Sequence, residues 1–388
     1  AVCYVARGTR VCSASLDGSV RVWNPITRQA MFVLREFAHW VTCLVAAADD
    51  ATIYAGSLDG TVVAWSAVTG RPVRRIRLPN LEPVLSMAIG PGGMEGEQLC
   101  VGTRGGSVGR GGEGAALVWR AGTWVARFDG HASDVCDVSL SPVAPLAASV
   151  GADRDVRIWG CTTQLASETV GRAFLPSDGS ADDTEIGCLE DIVEGDGESE
   201  RDTSSVRSGS GGAGPSALPQ TTHAAAHADR INALAFVSSP TVPDAVLLVS
   251  AGDDGDARVY EVGGEGDPHF ALRSVFGGHD AAVLGLARER AGDSLIFSAG
   301  RDGTILQWDA LHGAERMMLV AHEGRVPALA VDGGSQLLAS ADSLGALSLW
   351  TMSGGSMATE PSTVAEAHPD AVACLAFSTP ETGNRLAS

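Results

Sequence analysis

The sequence predicts an all-β fold, a β-propeller in which four-stranded antiparallel units lie side by side around a central axis. Three observations lead to this prediction. A phrase of eleven residues that ends in an aromatic residue recurs along the chain, most copies contain a tight turn such as Asp-Gly, and an apolar run preceded by His comes before most copies. Because one four-stranded unit cannot bury both of its faces, several units must pack against one another around an axis.

The recurring phrase has the pattern of a β-hairpin. Each copy consists of a short strand, a turn and a second strand in which apolar residues alternate, as expected for two tightly joined antiparallel strands. The copies are SASLDGSVRVW ending at Trp23, AGSLDGTVVAW at Trp65, a looser GRGGEGAALVW at Trp119, SVGADRDVRIW at Trp159, SAGDDGDARVY at Tyr260, SAGRDGTILQW at Trp308 and SADSLGALSLW at Trp350.

Two further strands flank each hairpin. The upstream strands are apolar runs that follow a His, such as GHASDVCDVSL, and the downstream strands are runs such as AMFVLREF and RPVRRIRL. The final aromatic residues of successive phrases are 42, 54, 40, 101, 48 and 42 residues apart. The repeating unit therefore has four strands, and one interval contains an insertion.

These residues resemble the repeats of the WD-repeat family of β-propellers, over nearly the whole chain apart from the insertion. In that family a His before the first strand, a Ser or Thr in the second, an Asp in the turn and a Trp in the third form a structural tetrad. A His, Ser and Asp set that recurs in several blades satisfies buried polar groups rather than forming a hydrolase site. The resemblance implies two complete tetrads: His131, Ser149, Asp153 and Trp159 in one blade, and His279, Ser298, Asp302 and Trp308 in another.

Other blades are expected to carry incomplete tetrads. Blade two has Ala55 in place of the Ser, blade seven has Leu344 in place of the Asp, and blade five ends in Tyr260 instead of Trp. The other members of these sets are His39, Asp59 and Trp65 in blade two; His322, Ser340 and Trp350 in blade seven; His227, Ser250 and Asp254 in blade five; and Ser13, Asp17 and Trp23 in blade one.

The last residues, HPDAVACLAFSTPETGNRLAS, match the beginning of an eighth unit and stop at Ser388, where the tetrad Ser of that unit is expected. Seven blades and part of an eighth are therefore visible. This count allows an eight-bladed ring, or a seven-bladed ring that runs on into a second. We interpret the chain as a fragment of a longer protein.

Three regions are expected along the chain. Residues 1–170 hold blades one to four, residues 171–226 form an insertion, and residues 227–388 hold blades five to seven with the truncated eighth. The insertion contains 11 Asp or Glu against 3 Arg and then becomes rich in Ser and Gly, a composition typical of disordered segments. If residues 162–170 are the outer strand of blade four, the insertion leaves from the loop that enters the first strand of blade five. The resemblance to the WD-repeat family implies that this loop lies on the top face, where the insertion would be close enough to inhibit binding.

Composition excludes several kinds of site. The formal charge of −20 disfavours a nucleic-acid partner, because polyphosphates prefer basic surfaces. All 27 basic residues are Arg, so no P-loop or Schiff-base Lys is present. The segment from Gly109 to Gly114 matches G-x-G-x-x-G but precedes a strand rather than a helix, which indicates an expanded turn. The His residues are not at metal-ligand spacing, so no metal and no cofactor are predicted.

Two features bear on the compartment. Eight Cys occur without a C-x-x-C pair, which favours a reducing, intracellular environment in the cytoplasm or nucleus. No apolar run approaches 18 residues, so no membrane span is predicted.

A partner is expected on the top face, where loops held by a rigid scaffold ring the channel. The residues before each first strand and before each turn Asp should face it. We expect a peptide-like partner anchored at Trp40, with acidic or phosphorylated groups over a basic arc. The predicted contact residues are Leu16, Trp40 and Leu58 on the apolar side, Arg230, Arg301 and Arg325 in the basic arc, and Asp253 at the turn position of blade five.

The sequence therefore favours a non-catalytic scaffold or adaptor that is a subunit of a larger complex. An alternative is the substrate receptor of a cullin-type ubiquitin ligase, whose W-D-x-R motif would follow a third strand. The corresponding residues are Trp23-Asn-Pro-Ile, Trp159-Gly-Cys-Thr and Trp308-Asp-Ala-Leu, none with the Arg. An enzyme is less favoured because no convergent acidic or metal-ligand cluster is visible.

Overall fold

The protein is a β-propeller, which confirms the predicted fold class. The computed structural model describes the chain except residues 6–7, 48, 91–96, 106–112, 142–144, 162–219, 224–225, 239–245, 264–269, 289–293, 321, 333–336, 354–355, 358–360, 362, 367 and 379–384. Within the described residues the only helical element is the 3-10 turn Pro79–Leu81. Each of seven blades is an antiparallel sheet whose strands follow one another from the axis outward in chain order.

The first four blades have four strands each. Blade 1 contains β1 (Val2–Val5), β2 (Arg10–Ala14), β3 (Ser19–Asn24) and β4 (Gln29–Arg35). Blade 2 contains β5 (Val41–Ala46), β6 (Thr52–Ser57), β7 (Thr61–Ser66) and β8 (Pro72–Arg77). Blade 3 contains β9 (Val84–Gly90), β10 (Gln98–Thr103), β11 (Gly114–Arg120) and β12 (Thr123–His131). Blade 4 contains β13 (Val135–Leu140), β14 (Leu146–Gly151), β15 (Val156–Gly160) and β16 (Gln220–His223).

The remaining sheets complete the circle. Blade 5 contains β17 (Ile231–Ser238), β18 (Val246–Gly252), β19 (Asp256–Val262) and β20 (Phe270–Gly277). Blade 6 contains β21 (Val283–Arg288), β22 (Leu295–Gly300), β23 (Thr304–Asp309) and β24 (Ala314–Val320). Blade 7 contains β25 (Ala328–Val331), β26 (Leu337–Ala341) and β27 (Ala346–Ser353), with β28 (Ser356–Met357) and β29 (Thr363–Glu366) both pairing with β27. An eighth sheet contains β30 (Ala376–Phe377) and β31 (Leu386–Ala387).

The innermost strands form one closed circle. Each contacts the innermost strand of the next blade, and β30 contacts both β25 and β1. The thiol of Cys374, two residues before β30, lies 3.9 Å from the carbonyl oxygen of Val2 in β1. Of the two ring sizes that the sequence allows, these contacts favour eight positions.

The core lies between neighbouring blades. In blade 1, Val20 and Val22 are completely buried and belong to the part of the hydrophobic core that contains Trp65 of blade 2. In blade 7, Leu347 and Leu349 pack toward the eighth sheet and are only half-buried. Since that sheet has two described strands where the other blades have four or more, less apolar surface is removed from water there.

The outer strand of blade 4 differs from the prediction. Residues 162–170 lie outside the described residues, and β16 pairs with β15 instead, with Gln220 opposite Trp159 and His223 opposite Val156. The long connection thus leaves after Cys161 and returns at Gln220. Its attachment points are at the end of the blade opposite the hairpin turn, so the expected exit from the top face is wrong.

Candidate partner-binding face

The polar network of blade 4 joins its loop, second strand, turn and third strand. Nδ1 of His131 is 2.9 Å from Oδ2 of Asp153, and Nε2 is 2.8 Å from Oγ of Ser149. The indole N–H of Trp159 donates to the same Ser149 oxygen at 3.0 Å. His131 and Ser149 have no exposed surface, so the Ser oxygen cannot meet a substrate.

Blade 6 has the same network. Nδ1 of His279 is 3.0 Å from Oδ2 of Asp302, and Nε2 is 2.8 Å from Oγ of Ser298. The indole N–H of Trp308 donates to Ser298 at 2.7 Å. Here too the Ser is completely buried. In both blades the hydrogen bonds satisfy groups that would otherwise be buried without a partner.

The charge states follow from burial and hydrogen bonding. Burial raises the pKa of Asp153, but the hydrogen bond and charge of His131, together with backbone amides, lower it more, so the pKa of Asp153 lies below its ordinary value. Burial lowers the pKa of His227 and of His322, and this outweighs the opposing effect of the paired carboxylates. These two imidazoles are therefore neutral at pH 7, as a structural hydrogen-bonding role requires.

Blade 5 keeps the His, Ser and Asp but replaces the Trp. His227 lies 2.8 Å from Oδ1 of Asp254 through Nδ1 and 2.7 Å from Oγ of Ser250 through Nε2. Tyr260 is completely buried and its ring centroid is 4.8 Å from that of Phe270. Burial raises the pKa of Tyr260 to about 12, so its hydroxyl stays protonated.

Blade 7 contains a complete tetrad, although Leu344 occupies the usual Asp position. Nδ1 of His322 is 3.1 Å from Oδ2 of Asp342, Nε2 is 2.7 Å from Oγ of Ser340, and the indole N–H of Trp350 donates to Ser340 at 3.0 Å. The expectation that this blade lacks its carboxylate is therefore wrong. The carboxylate comes from Asp342, two residues before the expected position.

A glycine in the other blades explains this substitution. Blades 4 to 6 have Gly151, Gly252 and Gly300 where blade 7 has Asp342. A Cβ added at Gly151 would lie 2.5 Å from Oδ1 of Asp153 and 2.8 Å from Nδ1 of His131. A side chain at this position thus points at the place that the carboxylate occupies, and Asp342 fills it directly.

In blade 2 the tetrad His position is held by Phe37. Phe37 precedes the first residue of β5, Val41, by four residues, the same spacing as between His131 and the start of β13. The amide N–H of Ala38, the next residue, donates to Oδ2 of Asp59 at 2.9 Å. In blade 4 the residue after His131 donates to the turn Asp at the same distance. The assignment of His39 to the tetrad is therefore wrong.

Blade 2 replaces the polar network by apolar packing. The ring of Phe37 meets the ring of Trp65 edge-on, with centroids 5.5 Å apart, and Ala55 stands where blades 1 and 4 to 7 have Ser. His39 is left in the exposed loop, where its Nδ1 accepts a hydrogen bond from the N–H of Trp40 at 2.8 Å. The loop before β5 therefore presents two aromatic rings to solvent.

One hydrogen bond recurs around the top face, the face with the hairpin turns. In blades 2 to 6 the residue that follows the second strand donates its N–H to the carbonyl of the residue before the first strand, and in blade 7 Ser343 donates to Arg325 from two residues beyond β26. These distances are 2.8 to 3.0 Å. This hydrogen bond holds the loop before the first strand beside the hairpin turn of the same blade. The pairs are Leu58 with Trp40, Arg104 with Pro83, Ala152 with Asp134, Asp253 with Arg230, Arg301 with Ala282, and Ser343 with Arg325.

Four apolar residues follow one another along this face on blades 1 to 3, and we call them the apolar cluster: Leu16, Trp40, Leu58 and Leu81. The N–H of Val41 donates to the carbonyl of Ser15 at 3.3 Å, which brings Trp40 beside Leu16. Leu58 is hydrogen-bonded to Trp40, and a Cβ at Gly60 would lie 2.6 Å from Cα of Leu81.

Exposure distinguishes the apolar cluster from ordinary loop residues. Leu16 is 63% exposed, Leu81 58% and Trp40 50%, whereas Leu58 is half-buried between them. Contiguous exposed apolar surface of this kind is typical of interaction sites. A Trp at its centre has the properties of an interface hot spot.

The predicted basic arc has mixed charge. Arg230, Arg301 and Arg325 are exposed on blades 5 to 7, but exposed carboxylates lie in the same loops. Asp253 shares the backbone pair of Arg230 and accepts a hydrogen bond from the side chain of Asn232 at 2.7 Å. The other exposed acidic residues of these loops are Asp229, Asp280 and Glu323. The arc therefore presents no uninterrupted positive surface.

The glycine-rich segment, metal sites and membrane spans were also considered from the sequence. Of the glycine-rich segment, only Glu113 and Gly114 are described, and β11 begins at Gly114. No group of three or more His, Cys, Asp or Glu is arranged to hold a metal ion among the residues with described positions. Nor does the described part of the chain contain a helix that is long and apolar enough to cross a membrane.

The repeats match a known family in sequence. The family model for the WD domain, G-beta repeat, matches residues 1–24, 31–66, 122–160 and 270–309. These segments hold strands of blade 1, of blades 1 and 2, of blades 3 and 4, and of blades 5 and 6. The chain is a β-propeller that contains WD repeats. This explains why the His, Ser, Asp and Trp of its tetrads recur with nearly constant spacing.

The curated proteins that resemble this chain align with it over only part of their own length. The periodic tryptophan protein 2 homolog of Dictyostelium discoideum is 25% identical over 41% of the chain and 16% of its own length, and the periodic tryptophan protein 2 of Arabidopsis thaliana is 27% identical over 41% and 17%. The nuclear distribution protein PAC1-2 of Uncinocarpus reesii is 30% identical over 34% of the chain and 32% of its own length. The chain thus matches well under half of each relative.

Solved structures share the fold of the WD-repeat propeller over most of its length. The computationally designed Ika8 protein superposes with a TM-score of 0.65, at 19% identity, over 96% of the chain and 89% of its own. A chain of the mitotic checkpoint complex superposes with a TM-score of 0.59, at 15% identity, over 90% and 86%. At these identities the likeness concerns the fold alone.

Three residues of the WD-repeat propeller were missed in the sequence. Phe37 is found by counting four residues back from the first strand instead of taking the nearest His. Asp342 is found by noticing that a carboxylate replaces the Gly two residues after the tetrad Ser. Leu81 has no such signal, because its place depends on the 3-10 turn and on its approach to Gly60.

Proposed function

We propose that this WD-repeat propeller is a non-catalytic scaffold that binds a protein or peptide partner on its top face, within a larger complex. The apolar cluster is the observation that carries the proposal. It is exposed, contiguous and centred on a Trp, and the corresponding positions on blades 4 to 6 hold Ala152, Asp134, Asp253, Arg230, Arg301 and Ala282. Covering it would remove apolar surface from water without any change of fold.

Catalysis is not part of the proposal. The two Ser oxygens with His partners in blades 4 and 6 are completely buried. The seven described Cys are free thiols, and burial raises the pKa of Cys43 to about 12, so this thiol is not a nucleophile at neutral pH. Free thiols also support our proposal of an intracellular, cytoplasmic or nuclear, location.

The proposal is tested by affinity purification from the cells that make the protein. Trp40→Ala is compared with wild type and with Ile26→Ala, which removes an apolar side chain that is 74% exposed on the opposite face. We expect a stoichiometric partner that wild type and Ile26→Ala retain and that Trp40→Ala loses. Equal retention by all three proteins, or a turnover activity that co-purifies with the chain itself, contradicts the proposal.

A further inference from the structure

Charge is distributed unevenly along the chain. Residues 1–131 contain 13 Arg against ten Asp or Glu, a net charge of +3, whereas residues 132–388 contain 14 Arg against 37 Asp or Glu, a net charge of −23. Blades 1 to 3, which carry the apolar cluster, are thus the basic part of an acidic protein. The field around the cluster depends on which of these charges remain unpaired.

The carboxylates nearest the apolar cluster are already engaged. Asp17 accepts hydrogen bonds from the N–H and hydroxyl of Ser19 at 2.9 and 2.6 Å and pairs with Arg21 at 3.2 Å. Asp59 accepts from the N–H of Ala38 at 2.9 Å and from that of Thr61 at 3.0 Å.

Two glutamates in the same loops are paired with arginines. Arg75 forms an ion pair with Glu36 and also donates to its backbone carbonyl at 3.1 Å. Glu82 receives two hydrogen bonds from the guanidinium of Arg127, at 2.8 and 2.9 Å. Three of these four acidic residues are therefore paired with an arginine, and Asp59 is held by hydrogen bonds alone.

Arg35 and Arg77 remain available at the top ends of the outer strands. In the sheet register Arg35 lies opposite Ser19 and Arg77 opposite Thr61. Ser19 follows Leu16 by three residues, and Thr61 follows Leu58 by three, so each arginine flanks one leucine of the cluster. Both arginines are exposed, and neither forms an ion pair with another residue that the structure describes.

From this arrangement we propose that the partner segment is an acidic peptide, in which a bulky apolar side chain covers the apolar cluster while flanking carboxylates pair with Arg35 and Arg77. The inference rests on the proposed function and names the chemistry of its partner. Guanidinium groups match carboxylates in geometry as well as charge. A nucleic acid fits less well, because four large apolar side chains occupy the centre of the site. The basic arc on blades 5 to 7 is a poorer acceptor of acidic groups, since its arginines alternate with carboxylates.

The test is selection from a phage-displayed library of random 12-residue peptides. Wild type is expected to enrich Asp and Glu on both sides of an aromatic or Leu residue. The double variant Arg35→Glu and Arg77→Glu is expected to lose the acidic enrichment and to bind wild-type-selected peptides about tenfold more weakly by fluorescence anisotropy. Raising the salt concentration weakens binding to wild type, but this dependence should be much smaller in the double variant.

A matched control uses Arg28→Glu with Arg71→Glu, an equal charge change beside the opposite ends of β4 and β8, and should keep both the acidic enrichment and the affinity within about twofold.

The inference is overturned if wild type selects no acidic residues, if the Arg35 and Arg77 variant selects them equally, or if the two double variants behave alike. Binding of a 20-nucleotide single-stranded RNA that depends on Arg35 and Arg77 also overturns it. Two outcomes separate this inference from the proposed function. If Trp40→Ala selects no peptides while the Arg35 and Arg77 variant still enriches acidic residues, only this inference is rejected. If Trp40→Ala selects peptides as well as wild type does, the proposed function itself is rejected.

Discussion

Blade 4 and blade 2 occupy equivalent places in the ring but differ in how the loop before the first strand is held. In blade 4 a buried His131 joins Asp153 and Ser149 through hydrogen bonds. In blade 2 the same position holds Phe37, which packs edge-on against Trp65 over Ala55. A polar network is stable only when every member is satisfied, whereas apolar packing tolerates partial change.

The difference extends to whole regions of the molecule. Blades 4 to 7 each contain a hydrogen-bonded His, Ser and carboxylate, through His131, His227, His279 and His322. No such set is complete among the described residues of blades 1 to 3, and this is where the apolar cluster and the unpaired arginines lie. The blades that depart most from the repeat thus carry the surface proposed for binding.

The largest expected effect comes from breaking the network in blade 4. His131→Ala leaves Asp153 and Ser149 without their partner in a buried place, and we expect a loss of about 3 kcal/mol in the free energy of unfolding. His39→Ala, in the exposed loop of blade 2, is the control and should change stability by less than about 0.5 kcal/mol. Urea denaturation measures both, and similar losses for the two variants would contradict the assignment of Phe37 to the tetrad position.

A smaller effect is expected from transferring the arrangement of blade 7 into blade 4. Asp153→Leu should cost about 2 kcal/mol, because His131 loses its carboxylate. Adding Gly151→Asp to that variant places a carboxylate where Asp342 stands in blade 7 and should restore about half of the loss. Gly151→Asp alone is the control and should destabilise, since its Cβ would crowd Asp153. If the double variant is less stable than Asp153→Leu, blades 4 and 7 differ by more than the position of their carboxylate.

The smallest effect is expected from building a network into blade 2. Phe37→His and Ala55→Ser should each destabilise alone, but together they provide a His and a Ser beside Asp59, which already accepts the N–H of Ala38. We expect a favourable coupling of about 1 kcal/mol in a double-mutant cycle of unfolding free energies. If the changes in unfolding free energy of Phe37→His and Ala55→Ser simply add, the two new side chains do not interact. The backbone of blade 2 would then differ from that of blade 4 by more than these two residues.

The fold was predictable because its signal is local. Six copies of the eleven-residue phrase contain the turn of a hairpin and parts of both strands, and their recurrence leaves few alternative folds. In blade 3 the prediction was wrong, because the second strand, β10, lies before the phrase that ends at Trp119. The site was predictable in part: Leu16, Trp40 and Leu58 follow from their positions in the repeat. Leu81 does not, because its exposure depends on how two loops meet. β16 was missed since its four residues return after a long separation from β15, and Gln220–His223 carries no strand pattern of its own.

The closed circle of inner strands has a consequence for chain entropy. The contact between Cys374 and Val2 joins residues 372 positions apart, whereas contacts within one blade span a few tens of residues. Closing so long a loop in an unfolded chain costs about 2 kcal/mol more than closing one blade, since each doubling of loop length adds about 0.6 kcal/mol. Once the intervening blades are folded, they hold the two strands near each other and remove this cost. The eighth position therefore couples the folding of the first blade to that of the last.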